Sequence, residues 1–237
     1  MQTLNKVVQE VQSKGFSVIS DYFNEADCGK AIKGIDDSIG IDTSLVSLTS
    51  TDSRIFGGEY LIPTIRDKFY DNDFVNKVLC SLYGTQSLNG TVLVQHVAAI
   101  EGNTGSGGIW HRDSLPNQFK AFLFLSDVSG DSGPLQVFPG SHRTLAKIVA
   151  AAKRGTRWNS LDYDKDGDLD SAVGKVADEF SITCSSGSLV FVNTSCLHRG
   201  KPNLKVERYS ATYYAYTHEI PAHIKCLSER ARDFEIK

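Results

Sequence analysis

The sequence has no long apolar run, no basic run and no cysteine pair at zinc-knuckle spacing. A membrane-spanning helix needs about 20 predominantly apolar residues, and no stretch approaches that. No Lys/Arg run exceeds two residues, the formal net charge is −3 and the pI is about 6.1. Phosphate binding needs a concentrated basic face, so neither nucleic acid nor a membrane surface is expected as a partner. Cys28, Cys80, Cys184, Cys196 and Cys226 are odd in number and scattered, without C-x-x-C. That argues against a disulfide framework and against a structural zinc site. The N-terminal stretch "MQTLNKVVQEVQSKG" lacks the apolar centre of a signal peptide, and a cytoplasmic location is expected. No G-x-S-x-G elbow is present for a serine hydrolase. "EGNTGSGG" has no Gly-Lys-Ser/Thr ending, which excludes a phosphate loop.

What is present is a chain of two halves. Its 237 residues suit a single domain, 1–237, that buries a core without staples. Residues 1–87 read as a mainly helical flank. Leu4, Val7, Val8 and Val11 share a helical face that ends at Gly15, and "FSVIS" follows as a short strand. Asn24 is placed to cap a second helix, residues 41–62 look irregular, and a third helix runs through Phe74, Val78 and Leu82 to Gly84. From residue 88 to 217 the pattern changes to short segments rich in Val, Phe, Tyr and Thr, punctuated by Gly, Pro, Asn and Asp: "TVLVQHVAAI", "GGIWHRD", "FKAFLFLSDV", "PLQVFPG", "FSITCSS", "GSLVFVN" and "ERYSATYYAY". A helical insertion at about 144–172 interrupts them. The expected class is mainly β with flanking helices, built on a barrel or jelly roll.

"GGIWHRDSL" carries the chemistry. If this segment is a strand, His111 and Asp113 project from the same face, and an imidazole and a carboxylate so placed can grip one metal ion. His198, just past the apolar "GSLVFVN", is the candidate third ligand. Two His and one carboxylate leave coordination positions open, the arrangement of non-haem Fe(II) oxygenases. Alternation puts Arg208, Ser210, Thr212 and Tyr214 on one face of a later strand. A guanidinium fork beside a hydroxyl makes a clamp for a carboxylate, and a dicarboxylic co-substrate spanning from metal to Arg208 would supply one.

The order His111-x-Asp113, His198, Arg208-x-Ser210 resembles the iron- and 2-oxoglutarate-dependent dioxygenases. "WHRD", "LFLSDV" and "GPLQVFPGSH" are similar to the phytanoyl-CoA dioxygenase-like branch, and the likeness runs from about residue 90 to 216. The resemblance implies a double-stranded β-helix, a cupin-like jelly roll. It implies Fe(II) held by His111, Asp113 and His198, and 2-oxoglutarate held by Arg208 with Ser210 in support. It also implies O₂ as second co-substrate, and hydroxylation of an unactivated C–H of a small molecule with release of succinate and CO₂. Gln95 and Lys120 are candidates for further contacts with the co-substrate. Residues 99–101, often polar in that branch, are here Ala99, Ile100 and Glu101.

Other features have plainer readings. Trp110 is expected to pack, His142 to be structural, and His96 to be a satisfied sheet histidine. Arg54, Arg112 and Arg157 are candidates to attract an anionic substrate, with a solvated surface arginine the preferred reading of each, and Arg54, Phe56 and Tyr60 fall in a stretch expected to help wall the pocket. Asp162, Asp164, Asp166 and Gly167 start like a calcium loop, but the closing position is Val173, so a solvated acidic loop is expected. The rival to an enzyme is a jelly-roll protein that binds metal or ligand, or senses it, without catalysis. The substrate and the oligomeric state are not legible.

Overall fold

The computed structural model describes residues 3–41, 45–48, 52–100, 108–154, 178–203 and 205–234. The N-terminal helix α1 (Leu4–Lys14) is opened by the Thr3 hydroxyl, which accepts from Lys6 N–H, and closed by Gly15 at φ 99°. That conformation is open to glycine at little cost. Helix α2 (Glu25–Ile41) starts where the Asn24 side chain accepts from Asp27 N–H. Short turns α3 (Gly58–Leu61) and α4 (Pro63–Ile65) lead through a π-helical turn, Arg66–Tyr70, to α5 (Asp73–Tyr83). Helix α5 is capped by Asn72 and terminated by Gly84 at φ 67°. Helices α6 (Thr144–Arg154) and α7 (Ala222–Arg232) come later.

The strands are β1 (Phe16–Ile19), β2 (Ser47–Leu48), β3 (Asp52–Phe56), β4 (Asn89–Val97), β5 (Phe119–Phe124), β6 (Leu135–Val137), β7 (Phe180–Ile182), β8 (Ser188–Asn193), β9 (His198–Gly200) and β10 (Arg208–Tyr216). They form a seven-stranded sheet, β1-β8-β5-β10-β4-β3-β2, and a three-stranded sheet, β7-β6-β9, with antiparallel neighbours throughout. This is the expected antiparallel jelly-roll core with flanking helices.

The flank is less purely helical than the sequence suggested. β1 closes one edge of the large sheet, and β3 extends the other edge by pairing with β4 from Asp52↔Val97 to Phe56↔Leu93. Residues 52–56, expected to be irregular, are therefore a strand. Their apolar alternation is masked because the inward positions, Asp52 and Arg54, face a polar cavity.

Period-two alternation divides the large sheet between two cores. Leu189 and Phe191 of β8 pack toward the helices with Val7, Val11, Ile35, Val78 and Leu79. Val190 and Val192 face the small sheet with Phe124, Leu135, Val137 and Ile182. The space between the sheets is thus apolar in one part. Elsewhere it is lined by Gln95, Arg208, Thr212 and the metal-site residues.

Candidate metal centre

His198 begins β9, and His111 lies opposite it in an isolated antiparallel bridge. Each backbone N–H of this pair donates to the other's carbonyl at 2.9 Å. Asp113 N–H donates to Thr194 O at 3.0 Å. The H-x-D segment is therefore not a regular strand as expected. It is an extended stretch bonded at two points to the His198 loop, and that bonding brings its two side chains to the same side.

One ligand atom each from His111, Asp113 and His198 lie within 4.8 Å of one another. His111 Nε2 is 3.6 Å from Asp113 Oδ1, and His198 Nε2 is 3.9 Å from Oδ2. Both imidazoles are oriented from behind. His111 Nδ1 donates to Ile109 O at 2.7 Å, and His198 Nδ1 to Cys196 O at 2.9 Å. With the Nδ1 protons spent on backbone carbonyls, the Nε2 lone pairs are left toward the carboxylate, as in histidines that ligate metals.

The electrostatics keep this donor set ready. Burial alone would raise the Asp113 carboxyl, but the charge of Lys120, joined by His198 at the acid pH where that ring is protonated, outweighs it and holds the group well below the usual carboxylate range. Burial pulls His198 down to about 4, so its ring is neutral at physiological pH. Lys120 is buried, its Nζ 2.8 Å from Asp113 Oδ2 and 3.9 Å from the Tyr214 ring centre. Burial opposes its charge, yet Tyr214 and Asp113 carry its pKa above the ordinary lysine value.

These residues open onto a cavity of about 330 Å³, at the small end of ligand pockets. Arg208, Gln95, Thr212 and Tyr214 line it along with His111, Asp113, Lys120 and His198. Ser210 lies on the Arg208 face, paired with Gln95 and Phe124, but is not among the lining side chains. Arg208 Nε is buried without a hydrogen-bond partner. Burial lowers its pKa to about 10, so it remains charged at neutral pH. A buried guanidinium nitrogen left unpaired is costly unless a ligand supplies an acceptor.

Several residues here were not singled out by sequence. Asp52, 2% exposed, accepts from Gln95 Nε2 at 3.1 Å and lies 3.9 Å from Arg54 Nε. Arg54, named in the stretch expected to wall the pocket, does line the cavity and is not a solvated surface arginine. Arg112 is also not on the surface. It is 1% exposed and donates to the carbonyls of Ser141 and Ser195. Its position between His111 and Asp113 aims it away from them, into the protein. His142 is structural as expected, bonded to Cys196 Sγ and Gln12 O, and Trp110 packs on Phe138. His96 stacks on Tyr209 and pairs with Glu207. The acidic stretch 162–167, Val173 and Arg157 lie outside the described residues.

A model of the phytanoyl-CoA dioxygenase (PhyH) family matches residues 11–205. The chain belongs to that family. The match includes all three candidate ligands and stops just before Arg208 and Ser210. Among curated relatives of this PhyH chain, ectoine dioxygenase of Stutzerimonas stutzeri (strain A1501) is 28% identical over 116 residues, 46% of this chain and 38% of that protein. L-proline trans-4-hydroxylase of Streptomyces griseoviridis is 27% identical over 162 residues, 58% of this chain and 60% of that protein. The chain thus matches less than two thirds of either relative's length. Among solved structures, EctD from S. alaskensis with bound Fe superposes with a TM-score of 0.66 at 15% identity, covering 88% of this chain and 75% of that one. This likeness establishes the fold. No helix among the described residues is long and apolar enough to cross a membrane.

Proposed function

We propose that this PhyH-family protein is an Fe(II)- and 2-oxoglutarate-dependent oxygenase that hydroxylates an unactivated C–H of a small molecule. One observation carries the reading: three metal-type donors and the unpartnered Arg208 Nε open onto the same cavity. The donor set suits a divalent transition metal with positions left for other ligands, and the named relatives are a dioxygenase and a hydroxylase. His111, Asp113 and His198 hold the metal. Arg208 takes the distal carboxylate of 2-oxoglutarate, with Gln95 lining the cavity one strand away and Ser210 bracing the wall behind. Lys120 lies against the metal carboxylate, keeps Asp113 ionised and lines the same cavity that receives the co-substrate.

When bound, iron and 2-oxoglutarate activate O₂ for C–H oxidation, with the balance R–H, O₂ and 2-oxoglutarate giving R–OH, succinate and CO₂. The protein's own part is placement. The imidazoles are fixed by their Nδ1–H bonds, the carboxylate is held charged, and the apolar packing between the sheets keeps bulk water from one side of the site. The test is succinate release from 2-oxoglutarate with added Fe(II). Asp113→Ala and His198→Ala should each abolish it. Turnover at the parent rate in either variant would overturn the assignment.

A further inference from the structure

Lys201 and Asn203 follow β9 directly, and both line the cavity. Their backbone is firmly seated. Lys201 N–H donates to Pro134 O at 2.9 Å, and Asn203 bridges Ser132. Gly133, at φ 70°, brings the neighbouring turn so close that a Cβ there would lie 2.7 Å from the Lys201 carbonyl oxygen.

Asn203 is 2% exposed. Its Nδ2 donates to Ala98 O at 3.4 Å, which fixes the orientation of the amide, and its Oδ1 is buried with no hydrogen-bond partner. A buried acceptor left unpaired costs free energy until a donor arrives. Lys201 has no carboxylate within ion-pair distance among the described residues. Nearby in the same cavity, Asp52 and Arg54 cancel as a pair 3.9 Å apart. Among the described residues Arg208 and Lys201 make no ion pair, although Asp52 acts on Arg208 at longer range. The distal carboxylate of one 2-oxoglutarate answers one of them.

We propose that Lys201 and Asn203 are the substrate anchor, and that the substrate is a small carboxylic acid bearing an N–H or O–H donor beside its carboxylate. The carboxylate meets the Lys201 ammonium, and the donor meets Asn203 Oδ1. A single remaining cation matches a monoanion better than a phosphate dianion. The cavity of about 330 Å³ suits a compact molecule, not a long chain. The proposal rests on the reading of this site as the iron and 2-oxoglutarate centre.

The test uses the full chain loaded anaerobically with Fe(II) and 2-oxoglutarate, whose chelate gives a weak visible band. Three matched probes are titrated against that band: 2-hydroxycyclohexanecarboxylate, its primary amide, and cyclohexanecarboxylate. The first should perturb the band at concentrations about tenfold below either of the others, since a charge-assisted contact, or a donor for a buried unpaired acceptor, is worth about that much. Lys201→Gln should erase the preference for acid over amide, and Lys201→Arg should keep it. Asn203→Leu should erase the preference over cyclohexanecarboxylate. Equal binding of acid and amide by the parent protein would overturn the anchor, as would no binding of any probe, and these need no variant. So would an unchanged acid preference in Lys201→Gln, or loss of the chelate band in that variant, which would assign Lys201 to the co-substrate. Absence of the band in the parent before any probe is added is a different failure. It removes the co-substrate reading, and the anchor falls with it.

Discussion

Arg208 enters the cavity with one nitrogen buried and unanswered. Asp52 offsets that cost only in part, and on the proposed reading the carboxylate of 2-oxoglutarate supplies the rest, so the contribution of Arg208 is to binding and not to folding. Arg208→Gln should raise the 2-oxoglutarate concentration for half-saturation by about 100-fold, the loss of a charge-assisted bidentate contact. Arg208→Lys keeps the charge but loses the fork and should fall between the two. Titration of the anaerobic chelate band measures both, and unchanged half-saturation in Arg208→Gln would remove Arg208 from the co-substrate site. Arg112 works in the opposite sense. It touches no ligand but ties the H-x-D segment to the Ser141 and Ser195 carbonyls, on the turns that carry His142 and lead to His198. Arg112→Met would strand those carbonyls in the interior. Urea unfolding should show a loss of about 2–4 kcal/mol, and metal affinity should fall with it. A variant as stable as the parent would show that the two carbonyls find other donors.

At the scale of elements, the legible parts were those where one physical signal acted alone. Helices α1 and α5 have an apolar stripe, a capping side chain and a terminal glycine, and they sit where those signals put them. The strands β4, β5, β8 and β10 are mostly buried and made of β-type residues. The signal failed where function or docking replaced the core as the reason for a residue. β3 turns Asp52 and Arg54 inward because its inner face is a cavity wall, so its pattern reads as a loop. Helix α7 buries only Ile224, Ser228 and Ala231, too thin a stripe to recognise. It is held by a polar bond, Ser228 Oγ to Thr91 Oγ1 at 2.9 Å, and Thr91 in turn donates to the buried Glu59. The metal triad was legible for a partly wrong reason. Strand alternation correctly paired His111 with Asp113, yet backbone bonds to His198 and Thr194 are what orient the segment. Arg54 falls in the stretch expected to wall the pocket and does line it; only its solvated reading fails, because charge alone, without a known neighbour, defaults to the surface. The turn at Gly133 gives a check on an element that supports the site. Gly133→Ala meets the Lys201 carbonyl from a left-handed backbone, whereas a methyl added at Gly130 would have nothing within 4 Å. Gly133→Ala should cost about 1–3 kcal/mol in urea unfolding, and Gly130→Ala should stay within about 0.5 kcal/mol. Equal stability of the two variants would show that the turn relaxes without strain.

Across the whole molecule, the jelly roll places a buried histidine and a half-buried carboxylate beside the polar part of the space between its sheets, and this ties folding to pH and, on the proposed reading, to metal. In the metal-free protein, burial depresses His198 from 6.5 to about 4. Between those values the unfolded chain binds more protons than the folded one, so stability rises with pH across this window and is lost as pH falls through it. The shift corresponds to roughly 3 kcal/mol for a fully buried group. Asp113 has the same sign at lower pH: its depressed carboxyl contributes stability above the usual carboxylate value, and that contribution disappears as pH drops below it. On the proposed reading, metal binds the folded state through these groups. At a free concentration 100 times its dissociation constant it should add about 2.7 kcal/mol, or roughly 5–10 °C in Tm for a domain of this size. Thermal unfolding with Fe(II) under argon, or with Mn(II), against a chelator control measures this at pH 7. The increment should shrink as pH falls toward 4, where protons compete for His198. Asp113→Asn should abolish most of it while leaving the His198 part of the pH dependence of the metal-free protein in place. A metal-induced Tm increment that survives both Asp113→Asn and pH 4 would mean that the ion stabilises the fold from somewhere other than the two sheets' shared interior.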